Sequence, residues 1–174
     1  EAFEEAFSRA SGRIIVATFA SLISRIQQVI NVASRYDRFV AVAGMSMVEN
    51  VAMAQELGYL DIPPGTLVKL GEVNKLPPDK VVIIATGSQG EPTAALARIA
   101  EGTHKQIKIS PGDMVILSAH PIPGNEEGIH RIINRLLQRG AEVLYDKIAP
   151  VHVSGHASQE EQKFLLNLVR PQYF

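Results

Sequence analysis

Apolar positions along the chain fall into two alternating kinds of block. Short runs rich in β-branched residues, at 13–18, 38–43, 80–85, 113–118 and 141–145, read as five strands. The third is apolar almost without a break, as befits a strand covered on both faces. Between and after these runs lie longer stretches whose apolar residues recur every three or four positions. Over residues 21–36, Leu22, Ile23, Ile26, Val29, Ile30 and Ala33 share one face, which predicts a helix. Helices are predicted likewise over 46–57, 91–100, 125–139 and 158–169. Punctuation agrees with the pattern. Gly58 and Gly140 stand where helices end, Pro92 stands in a first turn, and Ser158 and Glu161 have the spacing of a capping box.

Strands that alternate with helices predict an α/β fold. The expected architecture is a doubly wound, mainly parallel five-stranded sheet with helices on both faces, Rossmann-like in plan. Residues 61–79 break the rhythm. They hold Pro63, Pro64, Gly65, Gly71, Pro77 and Pro78, and read as a loop-rich insertion within a single domain spanning 1–174.

Composition narrows the function classes. The 46% of hydrophobic residues suffices for a sizeable core, and 17 basic residues against 18 acidic ones argue against a basic nucleic-acid coat while leaving room for a local basic groove. There is no cysteine, hence no disulfide, thiolate zinc site or thiol nucleophile, which suits a cytoplasmic protein. No apolar run approaches the roughly 20 residues that span a bilayer, so no membrane association is expected. The chain opens on Glu1 and closes on Phe174 without a leader or polar tail, and is expected to be a piece excised from a larger protein.

In doubly wound folds ligands gather beyond the carboxyl ends of the strands. Small and hydroxyl residues recur there: Thr18 to Ser21, Gly44 to Ser46, Thr86 to Glu91 and Ser118 to Gly124. The strongest cluster follows the fifth strand, His152-Val153-Ser154-Gly155-His156. Two imidazoles, a hydroxyl and an approachable glycine backbone can surround a phosphate. The 86–91 loop lacks the lysine of a P-loop and the third glycine of a dinucleotide fingerprint, so plain turn chemistry is its simpler reading. His120 reads as a satisfied polar group, and His104 and His130 as surface residues. No acidic residue lies within 152–156, and Glu160 and Glu161 belong to the final helix, so no metal is expected to be held by this chain alone.

Taken together, several motifs resemble those of ribonuclease J, of the β-CASP group in the metallo-β-lactamase superfamily. They are Ala17-Thr18-Phe19-Ala20-Ser21, Arg25-Ile26-Gln27-Gln28, Ala85-Thr86-Gly87-Ser88-Gln89-Gly90-Glu91-Pro92, Pro121-Ile122-Pro123-Gly124-Asn125-Glu126 and His152 to His156. They run through nearly the whole chain in the family's order, and the resemblance covers a β-CASP domain.

The resemblance implies a metal-dependent ribonuclease, acting as a 5′-to-3′ exonuclease on RNA with a 5′-monophosphate and also as an endonuclease in RNA processing and decay. It implies two zinc ions, with manganese or magnesium in support, bound by a metallo-β-lactamase domain of the same chain and not by this fragment. A cytoplasmic homo-oligomer is implied for the full-length protein. By resemblance His156 is the motif B histidine that reaches the scissile phosphate and acts as general acid. His152, Val153, Ser154, Gly155 and His156 form the substrate-phosphate loop, and Ser88 lies at the RNA-facing edge. The motif A acidic residue is expected before Glu1 and the motif C histidine after Phe174. Leu22 and Ser24 stand where many relatives carry Asn and His, and His120 where a small Ser is usual.

The isolated chain is therefore expected to fold without nuclease activity. The alternative is a stand-alone nucleotide- or phosphosugar-binding Rossmann-like module, which would bind a free mononucleotide. A third reading is a structural interaction domain whose histidines merely pack.

Overall fold

The computed structural model describes residues 2–146 and 157–173. Strands β1 (Ile14–Ala17), β2 (Phe39–Ala43), β3 (Val81–Ala85), β4 (Met114–Leu117) and β5 (Glu142–Leu144) form one parallel sheet in the order β2-β3-β1-β4-β5. The helices among the described residues are α1 (Ala2–Arg9), α2 (Ile23–Arg35), α3 (Met45–Glu56), α4 (Ala95–Glu101), α5 (Glu126–Gln138) and α6 (Gln159–Val169). This is the expected α/β fold with a parallel five-stranded sheet. None of these helices is long and apolar enough to cross a membrane.

Strand side chains alternate between the two faces. Ile14 and Val16 of β1, Val82 and Ile84 of β3, and Met114 and Ile116 of β4 pack with α1, α2 and α3. Ile15, Ile83 and Val115 point the other way and pack with α4 and α5. All residues of β3 are buried, which is why its sequence shows no polar alternation. Each fully buried Ile or Val contributes about 1.5–3 kcal/mol relative to exposure.

The insertion at 61–79 wraps the free edge of β2. Val40 N–H donates to Thr66 O at 2.8 Å and Val68 N–H to Val40 O at 2.8 Å. A 3-10 turn at Leu70–Lys75 then sets Val73 in the core on the α4 side of the sheet, although α3 lies on the opposite side. The insertion thus carries the chain round the edge and covers part of it.

Most predicted elements match to within one or two residues. One exception is α1, unassigned in the sequence reading, where Phe3, Ala6 and Phe7 at helical spacing face the core. Another is α4, which starts at Ala95 and not at 91. Residues 91–94 form a turn, with Ala94 N–H donating to Glu91 O at 3.1 Å. A third is His104, which is buried and not a surface residue. Its Nδ1 accepts the N–H groups of Gln106 (3.3 Å) and Ile107 (3.1 Å). His130 is exposed on α5.

The amino ends of β1 and β4 are joined by a buried ion pair. Arg13 Nε donates to Asp113 Oδ1 at 3.0 Å and Nη2 to Asp113 Oδ2 at 2.6 Å. Arg13 Nη2 also donates to Lys108 O, and Asp113 Oδ2 accepts Ser110 N–H at 2.8 Å. Arg38 fastens the chain before β1, donating to Gly12 O at 2.9 Å and Ala10 O at 2.7 Å.

Two predictions follow from these buried polar groups. Asp113→Ala leaves a buried guanidinium unpaired and should cost about 3–5 kcal/mol in urea unfolding, whereas the apolar double variant R13M/D113L should cost markedly less. A cost for the double variant equal to that of the single would refute this account. The second concerns acid. Burial, and then the charge of Arg98, lower the pKa of His104. The unfolded chain therefore takes up the proton more readily, and this group's share of stability is complete above about pH 6.5 and lost as pH falls below it. His104→Asn keeps an acceptor for the two N–H groups and should flatten the decline of the urea midpoint between about pH 7 and 5.

Candidate functional site

The strand register aligns Ala43, Ala85, Ala17 and Leu117, so the loops that follow β2, β3, β1 and β4 leave from one edge of the sheet. The loop after β1 leads to α2 on one face, while those after β3 and β4 lead to α4 and α5 on the other. The loops from adjacent strands thus diverge beside the end of β1, the kind of position at which doubly wound sheets bind ligands.

Thr18 follows β1 directly at this edge. Its N–H donates to Ala85 O at 3.2 Å, and the residue is only 1% exposed. Its Oγ1 has no hydrogen-bond partner among the described residues. A buried hydroxyl left unpaired costs about 1–3 kcal/mol, which marks Thr18 as a polar position at the carboxyl edge that the described residues do not account for. Ser88, on the loop after β3, is also 1% exposed. Ser118, after β4, is buried and donates its N–H to Ala17 O at 2.8 Å.

Glycine chemistry shapes the loop that carries Ser88. Gly87 has φ +109°, and a Cβ there would lie 2.9 Å from that of Ala94. Gly90 has φ +80°, and a Cβ would stand 2.7 Å from the backbone carbon of Gly128 on α5. Only glycine fits these positions. Thr86 seats the helix beyond: its Oγ1 accepts Ala95 N–H at 3.2 Å and its carbonyl accepts Leu96 N–H at 2.9 Å.

Gln89 binds the loops after β3 and β4 into one unit. Its Nε2 donates to His120 O at 2.9 Å, and its Oε1 accepts Ile122 N–H at 2.8 Å and Asn125 Nδ2 at 3.3 Å. Its own N–H donates to Glu91 Oε2 at 3.0 Å. His120 extends the link, with Nδ1 2.8 Å from Oδ2 of Asp146 beyond β5.

Of the predicted site residues, Ser88 is thus placed at the carboxyl edge, while His152, Val153, Ser154, Gly155 and His156 lie outside the described residues. Asp146 is the last described residue before that segment. After it, Ser158 caps α6 as its sequence spacing predicts, its N–H donating to Glu161 Oε2 at 2.7 Å and its Oγ accepting Glu161 N–H at 3.3 Å. Thr18 and Gln89 enter the sequence analysis only as members of strand-end segments and motifs, without a role of their own, and Asp146 does not enter it. The signal for Thr18 was available, a hydroxyl at the end of what proves to be the central strand, but a glutamine between glycines gives no hint of a clamp. No three His, Asp or Glu side chains among the described residues stand close enough to share a metal ion.

Comparison with known proteins adds a family. Residues 11–136 match the family described as Ribonuclease J, beta-CASP domain. The chain is 52% identical over 171 residues to the ribonuclease J of Thermus thermophilus, an alignment covering 98% of this chain and 30% of that protein. It is 48% identical over 171 residues to the ribonuclease J of Synechocystis, covering 98% and 27%, and 45% identical over 173 residues to that of Helicobacter pylori strain J99, covering 99% and 25%. The chain therefore spans less than a third of the length of these curated relatives.

The clamp geometry predicts that Gln89→Ala frees the loop after β4 without unfolding the sheet. The amide of Ile122 should exchange with solvent about tenfold faster or more, as loss of about 1.4 kcal/mol of local hydrogen bonding requires. Unchanged protection at Ile122 would show that the loop is held by other contacts.

Proposed function

This chain belongs to the β-CASP domain family of ribonuclease J, and from that membership we propose that it holds RNA over the active site of a metal-dependent ribonuclease. The observation that carries the reading is the family match over residues 11–136. That segment contains Thr18, whose hydroxyl has no partner among the described residues, the Ser88 loop and the Gln89 clamp, all at the sheet edge where such folds bind ligands. Hydroxyls and loop N–H groups suit phosphate oxygens, which only accept.

In this reading His152, Ser154 and the backbone of Val153 and Gly155 hold a substrate phosphate, with Ser88 on the RNA-facing side. Water adds to phosphorus, the P–O bond to the leaving nucleoside breaks, and His156 hands its proton to the departing oxygen. In the same reading two zinc ions, with manganese or magnesium in support, are bound by a metallo-β-lactamase domain of the same polypeptide, as expected for the family and not from anything in this chain. Such ions supply an activated water when bound. The full protein acts in the cytoplasm as a homo-oligomer on RNA with a 5′-monophosphate, from the 5′ end and also internally.

The test uses the full-length parent. His156→Ala should lower single-turnover cleavage of 5′-monophosphorylated RNA by about 10²–10⁴-fold, the usual worth of a general acid, with bound metal unchanged. Cleavage at the parent rate would sink the role given to His156.

A further inference from the structure

The free edge of β2 carries an opening that the ribonuclease reading does not use. In a parallel ladder the residues of an interior strand alternate between its two neighbours. Ala43 O accepts Thr86 N–H at 3.1 Å, so Ala41 and Ala43 face β3 while Val40, Val42 and Gly44 face outward. Val40 is satisfied on that side by Thr66 O and Val68 N–H. The same ladder, continued, would join Val42 N–H to Val68 O and Leu70 N–H to Val42 O. Among the described residues neither bond forms, because the chain turns into its 3-10 helix at Leu70 and leaves the edge. One donor and one acceptor of β2 are left open.

A groove of about 820 Å³ lies at this point, with Val42 and Val68 in its wall. Met45, Val48 and Leu67 line it with exposed apolar surface, Met45 being 81% exposed. Its charges are Lys69, Arg98 and Lys105 against the single carboxylate of Glu49. None of the three cations is ion-paired among the described residues. His104 also lines the groove, and with Nδ1 already accepting two backbone N–H groups its remaining ring nitrogen is a donor.

We propose that this edge receives an extended, acidic peptide strand with apolar anchors, contributed by a partner protein. The strand's backbone pairs with Val42 and continues the ladder begun by residues 66–68. Its apolar side chains settle on Met45, Val48 and Leu67, and its carboxylates meet Lys69, Arg98 and Lys105. A nucleic-acid strand would meet the same cations, but its backbone lacks the alternating N–H and C=O groups that a ladder needs. The open pair on Val42 therefore favours peptide.

The probe is a short fluorescein-labelled peptide of alternating glutamate and valine, titrated against the full-length protein by fluorescence anisotropy. Saturable binding is expected. The charge-reversed variant K69E/R98E/K105E, checked for native circular dichroism, should bind about tenfold more weakly or worse. The peptide N-methylated at every second residue, in each of the two phases, tests the ladder on unaltered protein, so the outcome does not depend on the variant folding. One phase should lose binding while the other keeps it. The proposal is overturned by absence of saturable binding, by equal binding of both methylated peptides and the parent peptide, or by displacement of the peptide from the groove by oligouridylate. It is overturned as well if sedimentation velocity shows the protein pairing with itself through the same three cations.

Discussion

Parallel strands cannot be joined by tight hairpins. Each return requires a crossover of a dozen or more residues. That constraint organises this molecule. Every crossover must cover a face of the sheet, so β1 and β3 are sealed on both sides by helices and on both edges by neighbouring strands. Nothing polar can be displayed from such strands except at their ends. Polar groups are thereby confined to the two ends of these strands, and at the carboxyl end the loops after β1 and after β3 and β4 run to opposite faces beside the central strand.

The two rims are built on opposite principles. At the amino rim, polar groups are used up: Arg13 and Asp113 satisfy one another, Lys108 O and Ser110 N–H, and Arg38 takes the carbonyls of Ala10 and Gly12. At the carboxyl rim, the Thr18 hydroxyl is buried and left over. Among the described residues the amino rim is thus the more fully hydrogen-bonded of the two at these positions.

Much of the fold was legible because the periodicities are strong. The strand at Val81–Ala85 and the helices α2, α3 and α5 announce themselves by apolar spacing, and Ser158 and Glu161 announce the start of α6. What the pattern could not give depends on distance in space. Strand order, the passage of residues 66–68 along β2, and the burial of His104 against two backbone N–H groups involve partners that no local window contains. The two turns of α1 are too short for a periodic signal to stand out. Pro92 suggested a first helical turn, but Thr86 fixes the true start three residues on by holding the N–H of Ala95. In the site, the Ser88 loop was legible as a glycine-rich strand-end turn, and a role for Ser88 itself came only from the family resemblance. Gln89 was not legible, because its partners are 31 to 36 residues away. The apolar residues Phe164, Leu165 and Leu168 of α6 are not buried by the described chain.

The bonds made by Gln89 bear on entropy as well as on shape. Two surface loops that moved independently would each have to be stilled when a flexible polyanion settled between them, and that loss would weaken binding. Here one side chain fastens the backbone after β3 to the backbone after β4, and His120 passes the restraint on to Asp146. The ordering has already happened during folding. Any ligand that bound at this rim would meet a surface with less freedom left to surrender, and more of each contact would be expressed as affinity.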